Sequence, residues 1–341
     1  MKLVLKVLGL VVGIPAIALV AFFFWGSAGT TSRQTYDDIV EYDAPSPAVQ
    51  NSYTIVSYNI GYLSGLANNT TSKPKSTFFQ ENLARAISTL AEVKPDIIGF
   101  QEIDFDANRS YSQNQMQQIA EALEMASGAI AINWDKNYLP FPYWPPSAHF
   151  GKILSGQAVL SRYPIEKNSR IVLERIADNS FIYNAFYLDR LAQVSQISLD
   201  GRPVIVISVH LEAFSETTRV SQTQFVRSLA EEYAETFPVI VIGDFNSALN
   251  RPSFVAATGE TYEERQFSIK EMLSSEQFAS AVAESKWSEK DFATFPSNEP
   301  QYKLDYIFYT PNTIEVLDTK VLTAAGESSD HLPLMMQFRL K

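Results

Sequence analysis

Apolar and polar positions along this chain fall into short runs that predict many strands and a few long helices. The clearest run is Pro238-Val-Ile-Val-Ile-Gly-Asp-Phe-Asn-Ser247. Its β-branched residues suit a strand covered on both faces. Asp244 and Asn246 follow two residues apart, so an extended backbone projects both to one side. Tyr53 to Tyr58 alternates and ends at Asn59, and Asp96-Ile-Ile-Gly-Phe100 delivers Gln101 and Glu102. Val204 to Val209 ends at His210, Leu304 to Tyr309 carries Asp305, and Leu334 to Leu340 closes the chain. Further strands are predicted in Gly156 to Ile165, around Ile171 to Leu173, in Ala185 to Ile197 and in Thr319 to Thr323, with a hairpin turn at Asp200-Gly201.

Helical spacing of apolar residues recurs in Phe79 to Val93, which Pro95 stops, in Asn114 to Met125 and in Thr217 to Thr236. Leu63 to Ser76 is polar and reads as a loop. Trp134 to Phe150 interleaves aromatics with four prolines, a density that predicts a loop rather than a strand or helix. Asn250 to Pro300 is irregular with some helix. Many short strands with long helices between them predict two packed sheets covered by helices, an α/β sandwich.

The N-terminus breaks this pattern. Val7 to Trp25 is uncharged and follows Lys2 and Lys6. Its length suffices to cross a bilayer core of about 30 Å as a helix. The lysines favour an N-terminus held inside, with the remainder exported. A cleaved signal peptide, with Gly26-Ser27-Ala28 as the cleavage site, is the alternative; the apolar run exceeds a usual signal h-region and favours the uncleaved anchor. The expected organisation is a signal anchor over 1–28, a polar linker over 29–51 and a catalytic domain over 52–341, membrane-tethered and extracytoplasmic, or secreted or periplasmic after cleavage. The absence of cysteine excludes disulfides and thiolate metal sites. The net charge is −11, and setting Lys2 and Lys6 aside leaves 25 basic against 38 acidic residues, or −13. Such a balance opposes a polyanionic partner and counts against a general nuclease.

Apolar strands thus deliver Asn59, Gln101-Glu102, His210 and Asp244/Asn246, with Asp305 on a further strand and Ser329-Asp330-His331 ahead of the last. Taken singly, each fits an ordinary strand end or turn; together they form a constellation. Ser57-Tyr-Asn-Ile60, Gly99-Phe-Gln-Glu102, Ser208-Val-His-Leu211, Gly243-Asp-Phe-Asn246, Leu304-Asp-Tyr-Ile307 and Ser329-Asp-His-Leu-Pro333 resemble, in order, the signature blocks of the endonuclease/exonuclease/phosphatase superfamily. Gly156 to Ile165 resembles a further block. The resemblance covers about Tyr53 to Leu340.

It implies a four-layer α/β sandwich, two mixed sheets flanked by helices, and a divalent-metal-dependent phosphoesterase. Glu102 is then the expected ligand of Mg²⁺ or Mn²⁺, with Asn59 assisting and Asp330 a further candidate. His331 is expected as acid/base, oriented by Asp305, whose carboxylate would fix its tautomer and raise its pKa. Asp244 would orient or deprotonate the attacking water, and Asn246 and His210 would bind non-bridging phosphate oxygens. Whether Asp244 or His331 is the base stays open in the sequence. So does the substrate. A nuclease fits the family at large, and a phospholipid or phosphoinositol esterase fits the anchor, the acidic surface and the Trp134 to Phe150 aromatics. A non-catalytic binding sandwich would be expected to have lost Glu102, Asp244, Asn246 or His331, and all four are present.

Overall fold

The strand pattern is realised as two sheets in the structure, a computed structural model that describes residues 2–45, 47–248, 262–287 and 289–341; the side chains of 2–10 and 262–267 are outside the described set. In chain order the strands are β1 (Ile39–Glu41), β2 (Tyr53–Asn59), β3 (Ile97–Asp104), β4 (Ser127–Leu139), β5 (Gly151–Ser161) and β6 (Ile165–Val172). They continue with β7 (Leu191–Leu199), β8 (Arg202–His210), β9 (Val239–Asp244) and β10 (Ala279–Ser280). β11 (Asp305–Tyr309), β12 (Ile314–Val321) and β13 (Leu334–Leu340) complete the set. One sheet has the order β1-β4-β5-β3-β2-β13-β12, and the other β10-β11-β9-β8-β7-β6.

Each sheet is antiparallel apart from one central parallel pair, β2 with β3 and β8 with β9. A parallel pair needs a crossover, and the helices are α1 (Lys2–Ser27), α2 (Ser76–Val93), α3 (Gln115–Ala122), α4 (Phe181–Phe186), α5 (Glu216–Ala234) and α6 (Tyr262–Leu273). α2 makes the crossover in the first sheet and α5 in the second. The C-terminal ends of each parallel pair therefore lie side by side. The two sheets pack through β2 and β3 against β8 and β9. Ile55, Ile97, Val206, Ile240 and Ile242 are buried on the facing sides, each stabilising by roughly 1.5–3 kcal/mol.

Close packing favours glycine at two points, between the sheets at Gly99 and between β8 and β9 of one sheet at Gly243. A Cβ on Gly99 would fall 2.3 Å from Ile242 Cδ1, and one on Gly243 would fall 1.9 Å from the Val209 carbonyl oxygen. Gly243 also sits at φ +140, a conformation side chains rarely adopt. Gly243→Ala is expected to cost on the order of 4 kcal/mol, read as a lowered midpoint in urea. An unchanged midpoint would mean that β8 yields freely at this point.

Several sequence expectations need correction. Trp134–Leu139 is strand, not loop, because β4 runs on until Pro140 stops it; the proline-rich loop begins there. Ser127 to Asn133, the start of β4, was not expected as strand. Ala185 and Phe186 belong to α4, and β7 begins only at Leu191. The Ser180 hydroxyl caps α4 by accepting from the Tyr183 N–H, which draws this segment out of the extended run. β12 occupies Ile314–Val321 rather than Thr319 to Thr323.

The stretch read as a linker is docked. β1 pairs with β4, and Asp135 accepts hydrogen bonds from the Thr30 and Thr31 N–H groups and the Tyr36 hydroxyl. Part of the irregular Asn250 to Pro300 region lies outside the described residues. Among the described residues no helix is long and apolar enough to cross a membrane. In α1 the described side chains begin at Val11, four residues into the apolar run that starts at Val7.

Candidate active site

The strand registers assemble the site. His210 pairs with Asp244 across β8 and β9, and Asp244 pairs with Asp305 across β9 and β11. One end of one sheet thus presents an imidazole and two carboxylates in adjacent rows. The other sheet presents Asn59 beside Gln101. Glu102 follows at φ +53, where the register of β3 and β5 shifts between Phe100 and Ile103. That bulge re-aims a side chain that a regular strand would send elsewhere. Asp330 and His331 arrive on the segment before β13. Ser329 fastens them, its hydroxyl donating to the Asn59 carbonyl at 2.8 Å and accepting the His331 N–H at 3.1 Å.

The structure brings all eight expected residues together. His331 Nδ1 lies 2.9 Å from Asp305 Oδ2, and its Nε2 lies 3.7 Å from Asp244 Oδ2. His210 Nε2 stands 3.6 Å from the same Asp244 oxygen and 3.8 Å from Glu102 Oε1. Asp244 Oδ2 accepts from Asn59 Nδ2 at 3.0 Å, and its Oδ1 accepts from the Asn246 backbone N–H at 2.8 Å. Asn59 is engaged by its neighbours on both sides of its amide. Its amide nitrogen serves Asp244 and its oxygen accepts the Gly61 N–H, so it positions a carboxylate. Asn246, at φ +48, donates Nδ2 to the Leu211 carbonyl.

Burial sets the charge states. It pushes the Glu102 carboxyl up to about 7, with the Asp330 charge adding to the effect. It raises Asp244 to about 6 against the opposing pull of His331. For His331 burial alone would act downward, but the Asp305 and Asp244 carboxylates outweigh it and push the imidazole up to about 10. His210 goes the other way: burial, with Arg190 and His331 adding, holds it well below its ordinary value. One imidazole is therefore charged at neutral pH and the other is not.

Three site residues were not expected from the sequence. Asn68, from the polar loop before α2, donates Nδ2 to Glu102 Oε2 at 2.8 Å and reaches Asp330 Oδ2 at 3.3 Å. Arg190 is buried with Nε 3.5 Å from Glu212 Oε2, and its Nη1 has no hydrogen-bond partner among the described residues. Tyr187 donates to both oxygens of Glu212 and lines the same cavity as His331.

The donor set fits a hard divalent cation. Glu102 and Asp330 share one Asn68 amide, and the second carboxylate raises the first, which is the strain a cation between them would relieve. Ligand atoms of Asp244, Asp305 and His331 also lie within 4.8 Å of one another and could hold a metal ion. His331 Nδ1 and Asp305 already share a hydrogen bond there, so that group is better suited to moving a proton.

Comparison with known proteins agrees with this geometry. Residues 56–331 match the model of the Endonuclease/Exonuclease/phosphatase family. A UPF0294 protein of Vibrio cholerae is 29% identical over 141 residues, 41% of this chain and 42% of its own, so the match spans less than half the length of this curated relative. Among solved structures, an endonuclease/exonuclease/phosphatase from Beutenbergia cavernae superposes with a TM-score of 0.58 at 17% identity, covering 85% of this chain and 72% of that one. D. rerio TDP2, complexed with single strand DNA product, gives 0.54 at 16% identity, covering 85% and 100%. At such identities the likeness is one of fold.

Proposed function

The chain belongs to the endonuclease/exonuclease/phosphatase family, and from that premise we propose a membrane-tethered phosphoesterase that uses a divalent cation, Mg²⁺ or Mn²⁺, to hydrolyse a phosphodiester or phosphomonoester. The observation that carries this reading is the convergence of Asp244 Oδ2 and His331 Nε2, 3.7 Å apart, beside the Glu102 and Asp330 carboxylates.

Asp244 is held by Asn59 and by the Asn246 N–H, so its free lone pairs are aimed. A water between Asp244 and His331 lies in reach of both. The carboxylate accepts its proton as oxygen attacks phosphorus, and the charged His331 stabilises the negative charge that builds. Asp305 keeps Nδ1–H committed and leaves Nε2 to face the reacting centre. His210, neutral, offers an Nε2–H to a non-bridging oxygen. A divalent cation held by Glu102 and Asp330 would supply the positive charge that the leaving oxygen requires.

α1 serves as the anchor in this reading, with the catalytic domain on the extracytoplasmic side. Lys2 and Lys6 at its start, the uncharged Val7 to Trp25 run and the exposure of Val11, Ile17, Leu19 and Phe24 support it. A nuclease is the second reading, favoured by the likeness to the DNA-bound TDP2 fold and opposed by the acidic balance. The full chain in detergent, given bis(p-nitrophenyl) phosphate, is expected to release nitrophenol with Mg²⁺ or Mn²⁺ and to stop in excess EDTA. Turnover indifferent to chelation would exclude the cation, and no turnover on any phosphoester would exclude the whole reading.

A further inference from the structure

The catalytic groups line part of a larger cavity of ≈ 530 Å³. Another part of its lining is apolar, made of Trp134, Leu139, Phe141, Phe186 and Leu188. Trp134 and Leu139, with Ile153, form a hydrophobic cluster separate from the main core, and Phe141, Phe186 and Leu188 pack against it. Hydrolysis of a small polar phosphoester has no use for such a wall. At the mouth the lining residues Tyr143 and Phe214 stand in solvent, and so do chain neighbours of the lining: Trp144, next to Tyr143, is 78% exposed, and Phe181, two residues before the lining residue Tyr183, is 74% exposed. Large apolar side chains exposed beside a cavity in this number mark a binding surface.

The wall is physically continuous with α1. The Phe23 ring lies 5.7 Å from Phe186, which lines the cavity, and 5.6 Å from Phe181 at the mouth. Phe22 meets Tyr138 at 5.5 Å. Lys136 Nζ donates to the Ser27 carbonyl, and Asn137 Nδ2 to that of Trp25, so the end of the helix is fastened to β4. Wherever the apolar end of α1 lies, the mouth lies beside it.

We propose that the apolar part of the cavity holds the hydrocarbon chain of a membrane lipid phosphoester, with the phosphate at the catalytic groups and the chain entering between Trp144 and Phe181. This rests on the phosphoesterase reading above. Arg190 lines the same cavity, 5% exposed, with Nη1 unpartnered among the described residues, and donates to a non-bridging phosphate oxygen. Water adds to phosphorus, the bond from phosphorus to the ester oxygen breaks, and the departing alcohol takes up a proton. A nucleic acid strand would require a row of cations along its backbone. Among the described residues the cavity lining holds Arg190 and no lysine, on a chain of net charge −11.

The test uses the full chain in phosphatidylcholine vesicles with Mn²⁺, and two diesters that share the p-nitrophenyl leaving group, one methyl and one dodecyl. A third arm offers single-stranded DNA as competitor. The dodecyl ester is expected to turn over with kcat/KM at least about 100-fold higher, because each buried CH₂ adds favourable transfer free energy. Phe214→Asp and Tyr143→Ser, both at exposed positions that tolerate polarity, are expected to lower the dodecyl-to-methyl ratio by about tenfold or more. A preference that both variants leave intact would be mere partitioning into vesicles and would overturn the proposal. So would equal rates on the two esters, or DNA displacing the methyl ester at low concentration. Failure of both esters with metal would instead sink the phosphoesterase reading beneath it.

Discussion

His331→Gln is expected to lower kcat by about 10³-fold or more, with KM little changed, because the imidazole acts at the reacting centre and not in uniform binding. Glutamine preserves the volume beside Phe295, whose ring centroid lies 4.9 Å from the imidazole, so the loss is one of chemistry rather than of packing. Asp305→Asn tests the second half of the pair. Asp305 is the chief influence raising His331 to about 10, so its removal drops the imidazole and moves the alkaline limb of the pH–rate profile to lower pH. A rate loss without that shift would make Asp305 a packing residue. The double variant is expected to be little worse than His331→Gln alone, as groups that act as one unit do not add. An additive double loss, or a His331→Gln enzyme within tenfold of the parent, would remove His331 from the mechanism.

The parts of this site that could be read from the sequence are those carried by regular strands. Val239–Ile242 is a uniform apolar run and Leu334–Leu340 is apolar but for Gln337 and Arg339, and the structure makes them β9, which runs on to Asp244, and β13. Asp244, His210 and Asp305 then meet because three strands pair in register. Backbone departures and loop contacts carry the remainder. Glu102 reaches the site through a left-handed residue at a bulge, which no alternation pattern encodes. Asn68 sits in a polar stretch that offers no signal beyond its polarity, and its role exists only because the loop folds back over β3.

Arg190 was hidden for a different reason. The segment before it looks extended in sequence, yet a short helix capped by Ser180 intervenes and leaves Arg190 just ahead of β7. Trp134 is the mirror case. The prolines that suggest a loop begin only at Pro140, and the strand runs through two register shifts to Leu139. In both places local composition was averaged over a boundary that a single residue decides.

Glu102→Gln should separate the cost of the site from its use. Burial and Asp330 raise Glu102 from 4.5 to about 7 in the folded protein. The folded state thus holds its proton more tightly than the unfolded chain, and the associated stability is complete below about pH 4.5 and lost as pH rises through about 7. Asp244, raised from 3.8 to about 6, loses its share over a lower window. At 1.36 kcal/mol for each pKa unit, the charged Glu102 costs the metal-free protein about 3 kcal/mol at most. Glutamine keeps an oxygen for the Asn68 amide and carries no charge, so in chelator at neutral pH the variant is expected to melt above the parent. Their melting points should converge as pH falls towards 4.5. Mn²⁺ at about 1,000-fold its Kd reverses the order, since it then adds roughly 4.1 kcal/mol to the state that binds it. The variant gains little from the metal and loses about 10²-fold or more in kcat/KM. A Glu102→Gln protein less stable than the parent in chelator, or equally stabilised by Mn²⁺, would mean that Glu102 is a structural acid and that the cation binds elsewhere.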